Sequence, residues 1–137
     1  MIKTLMAGIA ASLVMFSLAG LYTGVLVRSF IATHVDPVLL RAPTNLALVY
    51  CGYLLLALLM AWLYPRFVRS VSSPLRAGLV FGIGTAVVWL MPYSLVLFGV
   101  YRFPYAAMPL DFAWALVEQS AGGIVVAIIH GKPGVRT

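Results

Sequence analysis

The sequence is nearly without acid. Three Asp and Glu residues stand against nine Lys and Arg in 137 residues, and charged side chains of both signs make up only 9% of the chain, while 64% is hydrophobic. Soluble domains carry roughly 25% charged residues, so this chain lacks the polar side chains to cover a water-facing surface. A single cysteine, Cys51, excludes an intrachain disulfide, a CxxC redox pair and a Cys-rich metal site. The two histidines lie about a membrane apart, His34 in a polar connection and His130 at the end of the last apolar run, so no metal or haem site is expected. Cys51 and Ser94 have no histidine at their depth, and Gly82-Ile83-Gly84 lies inside an apolar run rather than in a phosphate-binding loop. An enzyme is therefore not expected, nor a cofactor. The net charge of +6 has a topological explanation, because membrane proteins gather Lys and Arg on cytoplasmic loops, so no nucleic-acid partner is expected either.

What is present is four apolar runs, 5–27, 45–64, 77–100 and 110–130. Each reaches the length of about 20 residues that a helix needs to cross the hydrocarbon core. Unpaired backbone groups cannot face lipid, which makes these runs helices rather than strands. The expected fold is an all-α integral membrane protein, a single domain of four transmembrane helices in an antiparallel bundle, with the lipid bilayer as its surroundings. Lys3 followed by an apolar stretch also suits a signal peptide, but the run continues to Val27, too long for a signal core, so a retained span is expected. With four spans both termini share a side with the middle loop. That side holds Lys3, Arg66, Arg69, Arg76, Lys132 and Arg136, against Arg28, Arg41 and Arg102 on the other. The excess sets the termini in the cytoplasm, in a bacterial inner membrane.

The two halves resemble each other weakly. Leu5-Met6-Ala7-Gly8-Ile9 aligns with Leu75-Arg76-Ala77-Gly78-Leu79, and Ala42-Pro43-Thr44-Asn45 with Met108-Pro109-Leu110-Asp111. This suggests two tandem helix-pair repeats, although Leu and Ala are common enough here for chance to give the same match. Pro43 and Pro109 suit helix openings, with Asn45 and Asp111 as helix-end residues that take orphan amides. Gly20-xxx-Gly24, Gly78-xxx-Gly82 and Gly123-xxx-Ala127 are small-residue pairs that permit close helix approach, within the bundle or toward another copy.

One residue breaks the pattern. Glu118 lies roughly 3 Å from the centre of the last run, and a carboxylate at that depth needs a partner, water or a task. Rise per residue places Tyr53 at nearly the same level and Pro92 and Tyr93 a few ångströms further out, with Tyr22 and Thr23 beyond them. A tyrosine hydroxyl is a suitable donor to a carboxylate. Pro92 removes the amide that would pair with the carbonyl of Val88, which Gln119 and Ser120 are placed to satisfy. The expected intramembrane polar site is thus Glu118, Tyr53, Tyr93, Pro92, Gln119 and Ser120. Glu118 has three readings: a neutral acid acting as hydrogen-bonded glue, a proton- or cation-binding group, or a partner for a charge on another subunit. Together these give two hypotheses. The first is a non-catalytic accessory or oligomer-forming subunit working through helix faces, as a homo-oligomer or in a larger membrane complex. The second is a small multimeric transporter or channel in which Glu118 binds a proton or cation. The second requires a water-accessible cavity that reaches Glu118 from one face; the first requires a lipid-sealed bundle, with Glu118 hydrogen-bonded or at a subunit contact.

Overall fold

The computed structural model describes residues 1–40, 42–68 and 73–131; Arg41, Arg69, Lys132 and Arg136, part of the charge comparison above, lie outside the described residues. Among the described residues all regular structure is helical. Four segments are long and apolar enough to cross a membrane: Ile2–Leu26, Leu46–Phe67, Pro74–Val100 and Tyr105–His130. The chain is a multi-pass membrane protein. The first segment is α1 (Ile2–Leu21) continued by a π-helical turn, Tyr22–Leu26, and it is followed by a short helix, α2 (Arg28–His34). The second is α3 (Leu46–Phe67). The third is α4 (Pro74–Thr85), a second π turn (Ala86–Leu90) and α5 (Met91–Val100). The fourth is α6 (Met108–His130), preceded by a single 3-10 turn, Tyr105–Ala107.

Local chemistry accounts for most of the boundaries. Asn45 Oδ1 accepts the amide of Leu48 at 3.0 Å and caps α3. Pro74 and Pro109 sit in first turns, where the missing amide would be unpaired in any case. Pro65 is the natural end of the second run, yet α3 continues two residues past it, since one lost bond so near a terminus costs little cooperativity. The connection after the first span, a loop by its sequence, instead forms α2, with the Phe30 and His34 rings stacked at 4.5 Å. At Pro92 the chain uses a wide turn: the Met91 amide bonds the Ala86 carbonyl five residues back, immediately before the residue that has no amide to give.

Packing inverts the pattern of a soluble protein. The buried core is Ala7, Ala11 and Met15 of α1, Ala57, Met60, Ala61 and Tyr64 of α3, Ala77 of α4, and Val126 and Ala127 of α6. Large side chains such as Leu13, Leu55, Val80, Val88 and Ile128 point outward, where lipid is their solvent. With no hydrophobic drive between helices in lipid, close approach of small residues holds the contacts. α6 packs against α1 and α4, and α1 also packs along α3. A Cβ on Gly78 would fall 2.6 Å from the Gly123 oxygen and 2.9 Å from the Ala127 Cβ, and one on Gly82 would fall 2.6 Å from the Ser120 Cα. Numbers rising along α4 therefore meet numbers falling along α6. Gly8 is used the same way against Leu58 of α3. Gly20 and Gly24, by contrast, have nothing within 4 Å of where a side chain would start. α3 and α4 leave a groove between them instead of a packed seam, so the α1–α6 contact has no counterpart of similar closeness in the other two helices.

Candidate functional site

The polar centre is built on α6. Glu118, Gln119 and Ser120 are all buried, Glu118 to 5% exposure. The Tyr53 hydroxyl of α3 donates to Glu118 Oε2 at 3.2 Å, and the Gln119 side-chain amide donates to Oε1 at 3.3 Å. One turn earlier Trp114 lies on the same face as Glu118, its buried indole N–H directed at the Glu118 carboxylate outside strict hydrogen-bond geometry. Seven positions before Glu118, roughly 10 Å along the axis and nearly on the same face, is Asp111. It occupies the first turn of α6.

The two carboxylates line one cavity of about 210 Å³. All four spans contribute to it: Ala19, Tyr22 and Thr23 from the first, Tyr53 from the second, Leu90 and Ser94 from the third, and Asp111, Trp114, Ala115 and Glu118 from the fourth. Tyr22 and Trp114 stack at 4.8 Å, nearly parallel, and form one wall. No Lys, Arg or His is among the lining residues. A second, more apolar cavity of about 260 Å³ shares Tyr22, Ser94 and Asp111 with the first and is bounded by α2 and by Phe103. Asp111 thus stands between Glu118 and the connections at that end of the molecule. Cation binding is the chemistry such a space offers: two acceptor groups, no competing base, and aromatic faces that attract positive charge.

The structure brings together some of the residues singled out from the sequence and separates others. Glu118, Tyr53 and Gln119 form one hydrogen-bonded group. Tyr93 does not join it; it is 57% exposed on the outer side of α5, and its neighbour Ser94 faces the cavity instead. Pro92 is exposed and lines neither cavity. The Gln119 amide goes to Glu118 rather than to the carbonyl of Val88, and the Gln119–Ser120 backbone is the surface on which Gly82 rests. Sequence reasoning makes Asp111 a helix-end residue and misses its place in the cavity, although its spacing from Glu118 puts both on one helix face. It misses Trp114 and Ser94 as lining residues as well. Compared with protein-family models, curated proteins and solved structures, the chain matches none.

The Tyr53–Glu118 bond is the one direct polar link from α3 to α6 at this depth among the described residues. A double-mutant cycle with Tyr53→Phe and Glu118→Gln, followed by unfolding in detergent, should return a coupling of about 0.6–1.7 kcal/mol, the range of interhelical hydrogen bonds in membranes. Additive single-variant effects would mean that the pair contributes nothing to the fold.

Proposed function

We propose that the chain is a small, non-catalytic multi-pass protein that binds a proton or small cation at Glu118 and conducts it as a transporter or channel, with Asp111 as the site nearer the aqueous side. The observation that carries this reading is the cavity holding both carboxylates without a basic side chain among its lining residues. The accessory-subunit reading is supported by the hydrogen bonds that Tyr53 and Gln119 give to Glu118, and water access to the cavity is what separates the two. The proposal includes an antiparallel bundle with both termini in the cytoplasm of a bacterial cell, which the Lys and Arg distribution supports, and sets the cavity toward the outer face. The carboxylates lie on one helix face at two depths, an arrangement that lets a cation step inward in two stages.

Liposomes loaded with a pH-sensitive dye test it. Wild-type protein should dissipate a proton gradient, or take up Na⁺ or tetraethylammonium, at least tenfold faster than protein-free vesicles. Glu118→Gln should return the rate to background, and Asp111→Asn should slow it. Equal rates in wild type and Glu118→Gln would overturn the proposal. A second reading, assembly with another copy or another membrane protein, rests on Gly20 and Gly24, the small-residue pair left open on the first span. It predicts that Gly20→Leu dissolves an oligomer and leaves the monomer folded.

A further inference from the structure

The groove between α3 and α4 lies away from the carboxylate cavity and has a different chemistry. It encloses about 340 Å³ and is walled by Leu56, Met60, Leu63 and Phe67 on α3 and by Phe81 and Val88 on the opposite side. Thr85 also borders it, but its hydroxyl donates to the Phe81 carbonyl at 3.0 Å and offers the groove nothing polar. Along α3 the wall runs from Leu56 to Phe67, roughly 16 Å by helical rise. That is close to half of a hydrocarbon core of roughly 30 Å, the depth of one leaflet.

The Phe67 end of the groove is the basic end of the molecule. Arg66 adjoins Phe67, its guanidinium 3.7 Å over the Trp62 ring and donating to the Trp62 carbonyl, which fixes it at the end of α3. Arg76 is exposed in the opening turns of α4 on the other side, and Lys3 is exposed at the same end of α1. The three acids of the whole chain, Asp36, Asp111 and Glu118, all lie elsewhere. The groove therefore combines a leaflet-long apolar channel with a positively charged mouth. We infer that it is a binding site for one acyl chain of an anionic phospholipid, whose headgroup meets Arg66 and Arg76. A lipid fits this shape because its charged headgroup sits at one end of its apolar chain, as Arg66 and Arg76 sit at one end of the groove. Basic residues at headgroup depth attract anionic lipid, and a chain that fills the groove covers apolar wall that α3 and α4 do not cover for each other.

Gly84 gives the test a clean variant. It lines the groove, and a Cβ added there meets nothing within 4 Å, so Gly84→Phe enters the space without a clash where its side chain begins. The full chain, in mild detergent, is titrated with phosphatidylglycerol or phosphatidylcholine and analysed by native mass spectrometry. Binding is checked in bilayers by quenching of Trp89, which lines the groove, with brominated acyl chains, in a Trp62→Phe, Trp114→Phe background. One phosphatidylglycerol per chain should bind at least tenfold more tightly than phosphatidylcholine. Gly84→Phe should weaken both lipids tenfold or more at unchanged helical content, and Arg66→Gln with Arg76→Gln should erase the preference for phosphatidylglycerol. Equal retention of the two lipids by wild type, or unchanged binding in Gly84→Phe, would overturn the inference. So would a dimer that Gly84→Phe disperses, which would make the occupant a second copy.

Discussion

Gly82→Leu is expected to separate α4 from α6 and to lower stability by about 3 kcal/mol, the upper end of overpacking costs. The Gly82 position abuts the backbone of α6, where a Cβ would fall only 2.6 Å from the Ser120 Cα, so no rotamer change in a neighbour makes room. The two helices must move apart, which also opens the Gly78–Gly123 contact one turn away. Thermal unfolding in detergent, or retention of a monodisperse peak after heating, measures the loss. The control is internal: Gly20→Leu and Gly84→Leu place the same side chain in open space and should stay within about 0.5 kcal/mol of wild type. Equal damage from Gly82→Leu and Gly84→Leu would contradict the α4–α6 seam.

Glu118→Leu should be the most damaging change in the polar cluster. It removes the acceptor for both the Tyr53 hydroxyl and the Gln119 amide, and the carboxylate toward which the buried Trp114 indole is directed. Each buried donor left without a partner costs about 1–3 kcal/mol, so two of them give a loss on the order of 2–6 kcal/mol. Glu118→Gln keeps an acceptor oxygen of the same reach and should retain most of the stability while abolishing cation flux. The pair of variants therefore separates hydrogen bonding from charge. If Glu118→Leu melts with wild type, the cluster does not hold α3 to α6, and the role of Glu118 is confined to the cavity.

The spans are legible in the sequence because the governing constraint is one-dimensional. Length and apolarity decide whether a helix crosses a bilayer, and all four runs lie within the helical segments apart from Val27, which closes the first π turn, and Asn45, which caps α3. Glu118 and its pairing with Tyr53 are legible too, since both follow from depth, which is rise multiplied by residue number. Asp111 is visible in the same terms, seven positions from Glu118 on the same helix face, but its place beside Pro109 invites a local explanation first.

What only the tertiary structure decided is direction around each helix axis. Tyr93 has a suitable depth and points away from the cavity, while Ser94, one residue on, points in, because neighbours in a helix are rotated by roughly 100°. The π turn at Ala86–Leu90 offsets that rotation ahead of α5, and nothing in the apolar pattern announces it. The same holds for the glycines: Gly78–Gly82 and Gly20–Gly24 have the same spacing, yet one pair meets α6 and the other meets open space. Spacing along a single helix gives depth and relative angle; the absolute angle is set by which neighbour packs against it, and packing exists only between helices.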